Sequence, residues 1–330
     1  MTSRETLVHQ TLALLRERGK EALEVAKQSI QKEKIGYKPL QEALNYFIEE
    51  VFKDVMQPGL LSLYCEAVGG KPSDTTQVGA AMVLLVGAAD LHDDIIDGSA
   101  TKNHKPTVLG KFGKDLTILA GDALIIKGVY LLHEAIEVFH KKKAKAILEL
   151  IKQAFFNLSS TEAEEAGHGG KNDLSSEEFL GMIKRKLAVA EATGKIGALI
   201  GNGTVDDVKT LGDLGRILGL LNALRDEFID VFEPEELANR FEKEILPIPV
   251  LSVFRDGAKR KEIMTLLESG KMTEKKIEKI VNIVMNANET RELIKIMRSE
   301  ISKAVTNLSR LKDCGEAFRL LLDSSLEDLQ

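Results

Sequence analysis

Between Val78 and Ala89 the chain reads Val-Gly-Ala-Ala-Met-Val-Leu-Leu-Val-Gly-Ala-Ala, apolar on every side when wound at helical spacing. A helix of this composition has no face to offer water, so other elements must enclose it all round. Its character then changes within a turn, because Asp90, Asp93, Asp94 and Asp97 follow. A central helix that runs from a dry core into a group of acids builds a cavity that is apolar at its base and ionic at its mouth. Such a cavity suits an amphiphile held by a charged head.

The acidic ending is not isolated. Asp93-Asp94-Ile95-Ile96-Asp97 is answered far downstream by Asp226-Glu227-Phe228-Ile229-Asp230. In each run the first and last acids are four residues apart and lie one above the other on a single helix face. Stacked like charges destabilise an isolated helix, so two such claws imply a cation between them. Hard divalent ions with oxygen ligands fit best. Magnesium in particular takes one or two carboxylates, keeps several waters and fills its remaining positions with phosphate oxygens. The chemistry indicated is metal-assisted handling of a diphosphate.

Elsewhere apolar positions recur at helical spacing, from Leu7, Leu12, Leu14, Leu15 and Leu23 onward, and the breaks between them are short. Ser175-Ser176-Glu177-Glu178 has the pattern of a capped helix start. With 44% hydrophobic residues, 7 Pro and no Trp, the 330-residue chain is expected to be all-α. No repeat or long linker divides it, so residues 1–330 are expected to form one bundle-like domain, with the charged, amphipathic stretch 271–330 wrapping it as C-terminal helices.

Net charge is -6 with acids and bases interspersed, which excludes the electrostatic footprint of a nucleic-acid binder. Cys65 and Cys314 form neither a metal spacing nor a disulfide framework, which suits a reducing cytoplasm. The first residues carry charge early, so no secretory signal is expected. The longest uninterrupted apolar run, Val78–Ala89, is too short to span a bilayer, so no transmembrane segment is expected either.

Placed among their neighbours, the two claws resemble the Asp-Asp-x-x-Asp motifs of the trans-isoprenyl diphosphate synthases, which make geranyl, farnesyl and geranylgeranyl diphosphates. The resemblance covers about residues 43–250. Lys105-Pro106-Thr107 follows the first claw at the family's spacing, and Ala120-Gly121-Asp122 is similar to its next-helix motif. Gly219-Leu220 leads into the second claw, and Glu242-Lys243-Glu244-Ile245-Leu246-Pro247 is similar to the family's Gly-Lys-x-Thr-Leu-Pro.

The resemblance implies a single large helical bundle of the isoprenoid synthase type around a central apolar cavity. It also implies a homodimer, or a heteromer as a variant, and several magnesium ions bound with an allylic prenyl diphosphate. Asp93, Asp94, Asp97, Asp226, Glu227 and Asp230 are then the metal ligands. Lys102 stands where the family's first Arg touches the allylic diphosphate, Lys186 matches the Lys of a Lys-Thr pair, and Lys243 matches a late Lys. Lys186 joins Asp93, Asp94, Asp97 and Asp226 as a catalytic candidate. Ala88 and Ala89 occupy positions at which bulky side chains cap the growing product, so a deep cavity is expected, with Leu85 or Met82 as its floor.

The departures gather on the acceptor side. Cationic positions that hold isopentenyl diphosphate in the family are Asp54, Gln57, Val86 and Asn103 in this chain. The first functional reading is ionisation of an allylic diphosphate and its elongation with isopentenyl diphosphate. In the second, the same cation cyclises, meets water or attacks another acceptor, as in class I terpene synthases. A non-catalytic partner subunit of a heteromeric synthase is the third, and the retained claws argue against it.

Overall fold

The computed structural model describes residues 3–53, 55–102, 105–308, 314–325 and 327, without the side chains of residues 3–6 and 307. Its architecture is all-α, as the sequence leads one to expect. In chain order the helices are α1 (Ser3–Gln31), α2 (Lys38–Tyr46), α3 (Met56–Glu66), α4 (Thr76–Asp97), α5 (Val108–Phe112), α6 (Lys114–Ile136), α7 (Lys141–His168) and α8 (Ser176–Lys186). They continue with α9 (Ala188–Ile200), α10 (Val205–Phe232), α11 (Pro234–Lys243), α12 (Ile248–Val253), α13 (Gly257–Glu268), α14 (Glu274–Met285), α15 (Asn288–Leu308) and α16 (Gly315–Ser324). A small antiparallel hairpin between α4 and α5 pairs β1 (Thr101–Lys102) with β2 (Lys105–Pro106).

Helix α4 is the buried centre that its composition requires, with Val78 to Leu85 and Ala88 all inaccessible. It is packed by α6, α1 and α3. Two glycines let α6 come close: a Cβ on Gly128 would stand 2.8 Å from Leu85, and one on Gly121 would stand 2.4 Å from the His92 ring. Both pairs step by seven residues in opposite senses, so α4 and α6 run antiparallel. The second claw is carried by α10, which packs along α9, while α14 and α15 close over α10 and α16 lies on α1. The described C-terminal helices thus lie against α10 and α1.

Local signals account for the helix starts. Ser175 and Glu178 form a reciprocal capping box at α8, worth about 1 kcal/mol in typical cases. One helix departs from the reading of the apolar runs. By length and composition α6 is able to cross a membrane. Asp122 and Lys127 interrupt its apolar run, which is why a search for uninterrupted stretches passes over it. Here one face packs on α4 while Leu119, Ile126, Val129 and Tyr130 stay exposed.

Candidate active site

A cavity of about 460 Å³ opens between the C-terminal halves of α4 and α10. Asp93 and Asp97 reach it from α4, Glu162 and Glu165 from α7, Lys186 from α8, Asp226, Glu227 and Asp230 from α10, Arg240 and Lys243 from α11, and Glu244 from the segment that follows. Its apolar wall comes from Phe179, Ile183, Leu187, Val189, Ala190, Gly219 and Ala223. Eight carboxylates therefore face three cationic groups.

Helical period divides the first claw. Asp93 and Asp97 share a face and line the cavity, whereas Asp94 is rotated by about 100° and buried at 1% exposure. Asp94 is held there by Lys102 Nζ at 2.8 Å, and the same ammonium lies 3.4 Å from Asp90. Lys102, read from the sequence as an allylic diphosphate contact, does not line this cavity. The hairpin carries it back over α4 as a brace for Asp94 and Asp90. Burial raises Asp93 to about 6, reinforced by Glu162. Burial raises Asp97 to about 7, reinforced by Asp93. Both acids also sit at a helix C-terminus, where the helix dipole disfavours negative charge. Lys243 reaches the left-handed Gly98 that ends α4, close enough that a Cβ there would stand 4.0 Å from its Nζ.

Of the adjacent Lys184, Arg185 and Lys186, only Lys186 lines the cavity. Its Nζ is gripped by Glu165 and lies 2.9 Å from Glu162. Burial works to lower this ammonium, and the two glutamates more than reverse that, leaving it above its ordinary value. Glu165 in turn is raised to about 7, chiefly by burial. Sequence reasoning missed Glu162 and Glu165. Their spacing of three within a long amphipathic helix was the available signal, and it is shared by any solvated acidic face.

The second claw is also divided. Asp226 lines the cavity and is raised to about 6 by burial, an effect Arg225 opposes and Asp230 reinforces. Glu227 is buried against Arg240, and Asp230 shares that guanidinium at 2.5 Å. Arg240 is itself buried and was absent from the sequence reading.

The residues fit a hard divalent ion in donor chemistry: the acids are in excess, all donate oxygen, and burial and mutual repulsion push them up. Among the described residues no three such side chains converge into a ready-made nest. Oxygens of a bound ligand would have to complete any coordination here.

A second cavity, of about 520 Å³, lies along the same stripe of α4. Val86 and Asp90 line it, and Asp93 and Asp97 continue the stripe at helical spacing into the first cavity. Arg16, Lys53, Lys102 and Lys105 gather around it from α1, the loop before α3, and the hairpin. Among the substituted acceptor positions, Val86 lines this space. Gln57 turns instead to the first cavity and accepts a hydrogen bond from Thr193 Oγ1 at 2.8 Å. Asp54 and Asn103 lie outside the described residues. Four cationic side chains, Arg16, Lys53, Lys102 and Lys105, thus line the cavity that Val86 faces.

The residues read as the tail-length determinants sit elsewhere. Ala88, about halfway round α4 from Asp93, is fully buried, and Leu85 is buried against Gly128 of α6. Neither they nor Ala89 and Met82 line the acidic cavity, whose apolar wall is built by α8, α9 and α10.

Fold and site together define the class: an all-helical bundle in which a central apolar helix and a facing partner each deliver acids to one cavity. Residues 37–284 match the polyprenyl synthetase family model. A short chain isoprenyl diphosphate synthase of Methanothermobacter thermautotrophicus is 30% identical over 236 residues, 71% of this chain and 68% of that one. A geranylgeranyl diphosphate synthase of Methanosarcina mazei is 26% identical over 293 residues, 86% of this chain and 87% of that one. In structure, a geranylgeranyl pyrophosphate synthetase of Pyrococcus horikoshii superposes with a TM-score of 0.84 at 23% identity, over 98% of this chain and 99% of that one. The chain belongs to the polyprenyl synthetase family and is a prenyltransferase of the trans-prenyl diphosphate synthase kind. These relatives do not favour the cyclising or the non-catalytic reading.

Proposed function

We propose that this prenyltransferase ionises an allylic prenyl diphosphate in the acidic cavity, with magnesium, and adds isopentenyl diphosphate held in the second cavity. The carrying observation is the shared stripe of α4, on which Val86 and Asp90 line one cavity and Asp93 and Asp97 the other. From Val86 to Asp97 the helix rises about 16 Å, so two anionic heads would sit side by side with the reacting carbons between them. Asp93, Asp97 and Asp226 would hold the ions, which when bound neutralise charge that develops on the departing diphosphate. Asp94 then holds Lys102 rather than a metal.

Lys186 and Lys243 present fixed positive charge to the leaving group. The glutamate pair that grips Lys186 keeps its ammonium protonated and aimed at the cavity. Phe179, Ile183 and Leu187 keep water from the cation. Arg16, Lys53 and Lys105 take over the acceptor's diphosphate, since several cationic donors converging on one anion is what such recognition requires. The exposed apolar row on α6, with Phe156 of α7, supports pairing of two copies of the chain. The whole chain acts as one domain, and its content of only two cysteines supports work in the cytoplasm.

The test is incubation of pure protein with magnesium and labelled geranyl, farnesyl or geranylgeranyl diphosphate, with and without isopentenyl diphosphate, followed by mass spectrometry. Products longer by five-carbon units, formed only with both metal and isopentenyl diphosphate, are expected. Consumption of the allylic substrate without elongation would overturn the acceptor assignment. No consumption of any of them would overturn the whole reading.

A further inference from the structure

Glu227 stands at the centre of the second claw, and its hydrogen-bonding demand is met from within the protein. Both carboxylate oxygens accept from Arg240 Nη2, at 2.9 and 3.2 Å, and one of them also accepts from the Ile248 N–H at 2.8 Å. The same guanidinium donates through Nη1 to Asp230 and through Nε to the Ile245 carbonyl at 2.7 Å. Its Cζ lies 5.7 Å from the centre of the Phe179 ring. Arg240 and Glu227 are each 7% exposed. A guanidinium keeps its charge at any working pH and fits carboxylates through a planar fork.

A metal ion at Glu227 would either stand against that guanidinium, as like charge, or displace it. Displacement would leave a charged group buried without its partner and the Ile245 carbonyl without its donor. Breaking a buried ion pair from one side is strongly unfavourable, because the remaining charge is uncompensated. Among the described residues Asp226 has no such guanidinium partner; it lines the cavity, as Glu227 also does.

Building on the metal-assisted reading above, we propose that Arg240 is a resident cation of the second claw. It balances Glu227 permanently, so Glu227 positions the claw and ligates no metal. Asp226 is the acid this claw offers to a divalent ion, and Asp230, which also lines the cavity, is held by the same guanidinium. The second claw thereby differs from a set of three equivalent acids. One of its charges is neutralised by a side chain of α11, which also ties α10 to the segment leading into α12.

The experiment has two arms. Thermal unfolding of the metal-free protein compares wild type, Glu227→Gln, Arg240→Met and the double variant. Arg240→Met should lower Tm by roughly 5–10 °C, and the double variant should recover part of that loss because the buried carboxylate is gone. Absence of any recovery would overturn the partnership; if Arg240→Met does not fold, Arg240→Lys replaces it in the same cycle. The second arm counts bound Mn²⁺ by electron paramagnetic resonance beside inorganic pyrophosphate. Glu227→Gln should keep the wild-type number of ions, with affinity within about threefold, while Asp226→Asn should lose an ion or weaken binding about tenfold or more. Loss of an ion from Glu227→Gln would overturn the proposal. If wild type binds no Mn²⁺, the metal-assisted reading fails, and the thermal cycle, which needs no metal, still decides the role of Arg240.

Discussion

The paired acids of α4 lead to a prediction about protons. Burial and Glu162 hold Asp93 up to about 6, and burial and Asp93 hold Asp97 up to about 7, where an ordinary carboxyl group would release its proton near 3.8. A divalent ion binds the ionised forms, so binding between them must expel whatever protons they hold. At pH 6 the pair holds about 1.4 protons and at pH 8 about 0.1, by the two steps taken together. Integrated over that interval, affinity for Mn²⁺ alone should rise about 20-fold from pH 6 to pH 8. Asp97→Asn removes the later step and should cut the rise to about twofold. Mn²⁺ titration followed by electron paramagnetic resonance at half-unit pH intervals provides the measurement. An affinity that is flat from pH 6 to 8 would refute the reasoning. The same protons set the stability of the metal-free protein. The folded state keeps them to higher pH than the unfolded chain, so stability should fall as pH rises from about 4 to 7, and bound metal should restore it.

Replacing Lys186 with Met should lower the rate of allylic ionisation by about 10²–10³, the effect of removing one preorganised donor, as read in single-turnover measurements. Lys53→Ala and Lys105→Ala should each raise KM for isopentenyl diphosphate by about tenfold or more while leaving allylic diphosphate binding unchanged, which calorimetry and steady-state kinetics separate. On the proposed pairing, wild type sediments as a dimer and Ile126→Glu should shift it to monomer, because the variant places a charge in the exposed apolar row of α6.

The parts of this molecule that the sequence makes legible are those governed by periodicity. The all-round apolar run of α4, the recurrence of two acid runs and the spacing of Asp93 from Asp97 each follow from 3.6 residues per turn. The same period separates Asp94 from its neighbours by about 100°, yet treating the run as one motif grouped all three acids as ligands. What stayed hidden depends on contacts between distant segments. Glu162 and Glu165 gain meaning only when α8 brings Lys186 against them. Arg240 lies ten residues after Asp230, and only the turn into α11 folds it back on the claw. Arg16 is seventy residues before Val86, so its place at the second cavity depends on how α1 crosses the bundle. Ala88, Ala89, Leu85 and Met82 lie off the acidic cavity for a related reason: position in a motif does not say which face of α4 meets that void.

One rigid helix serving both cavities has an evolutionary consequence. On the proposed reading the α4 acids that start the reaction project from its last two turns, whereas the cations around the second cavity come from α1, the loop before α3 and the hairpin. Drift in those outer segments alters what is presented to the nascent cation without disturbing the apparatus that creates it. On that reading acceptor contacts can be exchanged piecemeal, with Arg16 and Lys53 supplying charge from outside α4 while the acids of α4 stay fixed.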